Sequence, residues 1–351
     1  MSNETTFVAY VGTYTNGESK GIYRLSLNPK EATIQNLQVA AEIEGPTYLT
    51  LSSTNSHLYA VGKEGEQGGV VAYSINEDHS LTELNRQLSV GSSPCHVQLN
   101  EKDDLLFSAN YHKGQADVYP ILSDGSLQPS YSTVTHEGHG PNEARQEKAH
   151  AHFAGLTPDG KYVTVVDLGT DTIALYKLRN QTLELHKEMS VKPGSGPRHI
   201  RFSNDGKFAY VNAELSSELI VFSYDSEQGL LEEIQTVSTL PEGFTGENTG
   251  GAIHLSKNGR FIYASNRGHD SIAHFTIDEH TGKVKRNAIT STGGEHPRDF
   301  TIDPSGRYLL AANRDTSNIV LFNINDQTGS LTSANVQVKA PNPVCVKFLH
   351  Q

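Results

Sequence analysis

The chain of 351 residues has no tryptophan, two methionines and two cysteines. Cys95 and Cys345 are too few for a disulfide framework and match no metal or redox spacing, so both are expected to be free buried thiols and not nucleophiles. No apolar run approaches the roughly 18–20 residues of a membrane helix, so no membrane partner is expected. The opening segment MSNETTFVAYVG lacks a basic stretch followed by an apolar run and a cleavage site, and a cytoplasmic location is the resulting expectation. No serine lies in a G-x-S-x-G elbow, which argues against an α/β-hydrolase mechanism. No long segment carries a 3.6-residue apolar period, so helix content should be small. The formal net charge of −12 argues against a general nucleic-acid binder. It leaves room for a local arginine cluster that takes an anionic small molecule.

What the chain does have is a repeated phrase. Residues 197–213 read PRHIRFSNDGKFAYVNA, and 297–313 read PRDFTIDPSGRYLLAAN; further copies begin at 46, 94, 151 and 250. Each copy runs strand, tight turn, strand, polar turn, strand, acidic turn and a weaker fourth strand. Period-two apolar runs bounded by Gly, Asn, Asp and Ser are hairpin signals. The turn residues Asn55, Asp103, Gly160, Gly206, Gly259 and Gly306 are separated by 48, 57, 46, 53 and 47 residues, the period of a four-stranded propeller blade. A seventh copy is split between the ends of the chain. FVAYVGT (7–13), GIYRLSL (21–27) and TIQNLQVA (33–40) match second to fourth strands, and PNPVCVKFL (341–349) matches a first strand. The predicted fold is therefore all-β, one seven-bladed β-propeller spanning 1–351, with four antiparallel strands per blade. N- and C-terminal strands share one blade, and this closure removes free sheet edges. An open β-array or two sandwiches is the alternative.

Aligning the copies separates scaffold from exception. Six and four positions before the turn residue stand apolar pairs such as Ile200/Phe202 and Phe300/Ile302, which read as core between blades. Eight positions before it stand Thr47, Cys95, His152, Arg198, Gly251 and Arg298, with Val344 in the split copy. A position that tolerates Thr, Cys and Gly does not require Arg. Eight positions after it stand Lys63, Tyr111, Leu168, Glu214, Arg267 and Arg314, with Tyr14 in the split copy. First and second strands are antiparallel neighbours, so both sets should ring one mouth of the channel.

His152, Arg198, Glu214, Arg267 and Arg298 then come from consecutive blades and can converge. Arg offers a permanently charged donor fork for carboxylate or phosphate. Glu214 or His152 can serve as general acid or base, and an Arg beside a developing oxyanion stabilises it. Salt bridges across blades are the competing, purely structural use of the same residues. His150 and His152 form an HxH with His136 and His139 nearby, but no carboxylate or Cys pattern accompanies them, and no metal is expected. His96, His199 and His254 follow first-strand starts at differing offsets and are assigned to core or rim hydrogen bonding. The longest interval holds the polar loop THEGHGPNEARQEKAH (135–150), which should lie over one end of the ring.

The segments 196–222, 251–267 and 296–314, together with the loop GPNEARQEKAHAH at 140–152, resemble the lactonase family of seven-bladed β-propellers. That family includes bacterial propeller-type 6-phosphogluconolactonases and fungal carboxymuconate lactonizing enzymes. The resemblance covers essentially the whole chain. It implies a catalytic quartet of His152, Arg198, Glu214 and Arg267 and no cofactor. Arg298, His150 and Arg145 are expected to bind substrate. The implied activity is hydrolysis of an anionic sugar-acid lactone, with 6-phosphogluconolactone of the pentose phosphate pathway as leading substrate. A muconate-type cycloisomerase and a non-catalytic binding propeller are the alternatives. Neither the choice between Glu214 and His152 as base nor the oligomeric state follows from sequence.

Overall fold

The structure, a computed structural model, describes residues 6–351. Seven four-stranded antiparallel sheets stand in a ring, and no helix occurs among the described residues. Each chain segment from one inner strand to the next builds a blade from the axis outward. The inner strands of blades one to six are Leu49–Leu51, His96–Leu99, Ala151–Leu156, Pro197–Phe202, Thr249–Leu255 and Pro297–Ile302. The seventh blade orders Pro343–Phe348, Phe7–Thr13, Gly21–Asn28 and Thr33–Glu42 from the axis outward. The two ends of the chain thus share a blade, as the split repeat predicts.

The tight turns behave as their residues dictate. Asn55, Asp103, Gly160, Gly206, Gly259 and Gly306 all have φ between 56 and 76°. Glycine takes this left-handed region freely, and Asn and Asp tolerate it better than other residues do. That explains the two non-Gly copies.

Cohesion between blades follows from the apolar pairs. Leu49, Ala154, Ile253, Phe300 and Val346 on inner strands are fully enclosed. Second-strand tyrosines add polar stitches. Tyr10, Tyr59, Tyr210 and Tyr263 each donate to a backbone carbonyl in the outer turn of the following blade, at His79, Gly125, Gly282 and Gly329. These bonds satisfy hydroxyls that would otherwise be costly to bury.

One irregularity recurs and prepares the site. Inner and second strands slip register at Ala151/Phe153, Pro197/His199, Gly250/Ile253 and Pro297/Asp299, and in the seventh blade opposite Gly12/Thr13. The residues left without a direct partner include His152, Arg198 and Arg298. A β-bulge re-aims its extra side chain away from the regular alternation. Here it occupies the position where the repeats disagree.

Candidate active site

Glu214 follows the second strand of blade four, Phe208–Ala213. Its N–H donates to the Gly196 carbonyl over 2.7 Å, and its own carbonyl accepts from Gly250 N at 2.8 Å. Backbone bonds to both sides therefore fix it at the mouth of the channel. Three guanidiniums meet its carboxylate. Arg267 Nη2 lies 2.6 Å from Oε2 and Arg198 Nε lies 3.1 Å from the same oxygen, while Arg145 Nη2 pairs with Oε1. The Arg198 contact is ionic only, because its N–H is not aimed at the oxygen. Arg198 Nη1 instead donates to the Gly251 carbonyl at 2.7 Å, and Arg267 Nε to the Gly250 carbonyl at 3.1 Å.

The electrostatics follow from this packing. Burial works to raise the Glu214 carboxyl, but the guanidiniums of Arg267, Arg198 and Arg145 together hold it well below the usual carboxylate range. Burial, reinforced by Arg267 and Arg298, pulls Arg198 down to about 9. Burial and then Arg198 drive His152 well below the ordinary imidazole value. His152 is therefore a neutral imidazole at neutral pH, and its Nδ1 is buried without a protein partner.

A cavity of about 680 Å³ opens above this cluster, with His152, Glu214, Arg267, Arg298 and Arg145 in its wall. Arg298 lies over the Tyr14 ring, 5.7 Å from its centroid, and makes no hydrogen bond or ion pair. Its guanidinium donors are unused. Arg267 Nη1 is likewise without a protein partner.

Two sequence-predicted residues stand apart from the cavity wall. Arg198 is 3% exposed and lies beneath Glu214, so it braces the carboxylate. His150 does not reach the cavity. It stacks on Tyr111 with centroids 4.0 Å apart, and its ring nitrogens meet the Tyr111 carbonyl and Glu147. The bulge at His152 breaks the alternation that would have put both histidines of the HxH on one face. Among the described residues, no group of three or more His, Cys, Asp or Glu is arranged to hold a metal ion.

Other departures from the sequence expectation concern the channel. His96 and His199 share one offset, seven before the turn residue. With Tyr48 and Phe153, at the same offset, they pack across the axis: Tyr48–His96 4.6 Å, His96–Phe153 4.4 Å, His96–His199 5.3 Å and Tyr48–His199 5.8 Å between centroids. They form a ring plug below the site. Cys95 is not fully buried; it is half-buried in the cavity wall, with burial pushing its thiol up to about 11. It is neutral, which suits no nucleophilic role. Cys345 is free and enclosed.

The inserted loop is tied down at several points. His136 binds Asp167 at 2.9 Å and Tyr176 at 2.8 Å, and the Gln146 side chain donates to the Leu168 carbonyl. These anchors deliver Arg145 to Glu214. His296 also lines the cavity and escaped the sequence reading. It stands ten positions before its turn residue, where other copies place Gly45, Ser93, His150, Gly196 and Thr249. Its φ of 59° explains why Gly suits the equivalent position, and the same column comparison would have exposed it.

Comparison with known proteins agrees with this geometry. A model of the family described as "Lactonase, 7-bladed beta-propeller" matches residues 8–348. The chain is 45% identical over 348 residues to the 6-phosphogluconolactonase of Bacillus subtilis strain 168, covering 99% of each chain. A solved structure from Lactobacillus plantarum superposes with a TM-score of 0.95 at 36% identity, over 99% of this chain and 100% of that one. The periplasmic gluconolactonase of Pseudomonas aeruginosa superposes with a TM-score of 0.94 at 30% identity, over 98% and 99%.

Proposed function

The chain belongs to the family of seven-bladed β-propeller lactonases, and from that premise we propose that it hydrolyses 6-phosphogluconolactone to 6-phosphogluconate. The observation that carries the phosphorylated substrate is Arg298, a half-buried guanidinium in the cavity wall with no hydrogen-bond or ion-pair partner within the protein. A five-donor fork held in that state suits a phosphate group.

The remaining roles follow from what each side chain is free to do. Glu214 is engaged by three cations through both carboxylate oxygens, which makes it an anchor. It fixes Arg267, whose free Nη1 polarises the lactone carbonyl and receives the charge that develops on oxygen. His152 is neutral and can take a proton from water as that water attacks the carbonyl carbon. The ring C–O bond then breaks, and the leaving alkoxide takes a proton from the imidazolium. Arg198 positions Glu214 from below, and His150 positions Tyr111. No step calls for a cofactor. A phosphorylated sugar lactone does not cross membranes, so we place the enzyme in the cytoplasm, feeding the pentose phosphate pathway.

A pH-stat assay of the purified protein on 6-phosphogluconolactone, corrected for spontaneous hydrolysis, tests this reading. Loss of the enzymatic rate in Arg198→Ala and Glu214→Ala supports it. Unchanged rates in both sink it.

A further inference from the structure

The channel has a second level of residues that differ between the repeats. Five positions before the turn residue stand Thr50, Gln98, Gly155, Arg201, His254 and Thr301, and Lys347 matches in the seventh blade. Small or neutral residues occupy blades one to three. Blades four to seven carry Arg, His, Thr and Lys in unbroken order. This level stands three positions along the inner strand from the bulge position, so it lies beyond the ring plug, towards the opposite mouth.

There the four side chains line a separate cavity of about 540 Å³. Its polar groups divide into engaged and free. Asp299, at the plug, accepts from His254 Nε2 at 3.3 Å and from Val346 N at 3.3 Å. Asp303 is consumed by the turn, accepting from Ser305 and from Tyr308 N. Lys257 donates to the Pro304 carbonyl. Burial pulls His254 down to about 4, which leaves it uncharged.

Two cations are among the free groups. Arg201 makes a single hydrogen bond, 3.3 Å to its neighbour's carbonyl at Ile200, and no ion pair. Lys347 rests over the Tyr48 ring at 4.7 Å, with its Nζ 3.5 Å from the Tyr48 hydroxyl and no carboxylate in contact. The Thr301 hydroxyl has no partner. Both cations are half-buried, and a half-buried cation with unused donors is costly unless something accepts them.

We propose that this opposite mouth is a second anion site, which binds a phosphate group, free or on a small organic phosphate, between Arg201, Thr301 and Lys347. Arg201 supplies a planar fork for two oxygens, Lys347 a point charge and Thr301 a neutral donor. The plug of Tyr48, His96, Phe153 and His199 separates it from the rim cavity. The two cavities share no lining residue.

Calorimetric titration of the full chain with inorganic phosphate tests the assignment. Arg298→Ala, which weakens the rim, should still bind one equivalent. Adding Arg201→Gln and Lys347→Gln to Arg298→Ala should weaken that equivalent at least about tenfold, the loss of charge-assisted bonds. Arg201→Gln/Lys347→Gln alone should keep its lactonase rate, which certifies the fold. If that double variant does not fold, Thr301→Val in the Arg298→Ala background serves, with about threefold weaker phosphate binding expected for one lost neutral bond. No phosphate binding in Arg298→Ala, or undiminished binding after the lower residues are replaced, overturns the proposal.

Discussion

Arg267 Nη2 lies 2.6 Å from Glu214 Oε2, with Arg267 6% and Glu214 4% exposed. Two charges so enclosed make sense only as parts of a larger set. Removing one member strands the others. Glu214→Gln leaves Arg198 and Arg267 without their shared counter-charge. Breaking such a buried pair costs about 3–5 kcal/mol, and kcat/KM should fall about 10²-fold or more as the guanidinium proposed to polarise the carbonyl loses its anchor. Urea unfolding and initial rates on the same preparation check both.

His152→Gln removes the proposed base and keeps the ring's approximate volume. A fall in kcat of about 10²–10⁴-fold, with KM little changed, is expected. Because burial and Arg198 hold His152 well below 6.5, the acid limb of the wild-type rate profile should lie well below that pH. A wild-type limb centred near 6.5 would assign the titration to an exposed imidazole elsewhere.

Stability should fall with acid earlier than carboxylates alone require. His96, His152 and His199 are held well below 6.5 by burial, and His254 is at about 4. An unfolded chain binds protons at these groups near pH 6.5, whereas the folded chain does not. Folding free energy therefore drops as pH falls from about 7 towards 4, by up to about 1.4 kcal/mol per pH unit for each such histidine. Glu214 and Asp299, whose folded values are depressed, add their losses only at lower pH, as it falls below the ordinary carboxylate range. Urea midpoints between pH 7 and 5 should decline, and His96→Gln/His199→Gln should flatten the slope. A level midpoint over that range contradicts the neutral plug.

Arg145 is the one member of the cluster that the repeat does not supply. Arg145→Ala should leave the fold intact, since the loop keeps its His136 and Gln146 anchors. Exposed on one side, its pairing is worth less than that of Arg267, and a loss in kcat/KM of about tenfold is expected. Steady-state rates beside the wild-type melting curve check this.

The ring was legible because seven copies of one grammar left little else to fit. Apolar pairs such as Ile200/Phe202 repeat, and the split copy at the chain ends has few other uses. The residues that meet at the cavity were legible as exceptions to the same grammar. What stayed hidden is what side-chain direction decides. A bulge is not written in any single residue, so His150 and His152 read as one face when they are not. Arg198 and Arg298 occupy one column, yet Arg198 is buried under Glu214 and Arg298 is half-open to the cavity. The plug escaped because its members, Tyr48, His96, Phe153 and His199, are unlike in type, and only their packing across the axis unites them.

Substrate choice at Arg298 tests hydrolysis of a phosphorylated lactone most directly. The measurement is kcat/KM for 6-phosphogluconolactone, unphosphorylated gluconolactone and carboxymuconolactone, each corrected for spontaneous hydrolysis, in wild type and in Arg298→Met. Wild type should prefer the phosphorylated lactone, and Arg298→Met should lose about 10²-fold on it, the scale of a charge-assisted phosphate contact, while its rate on gluconolactone changes little. Equal rates on phosphorylated and unphosphorylated lactone in wild type, or a preference that survives Arg298→Met, would contradict the assignment.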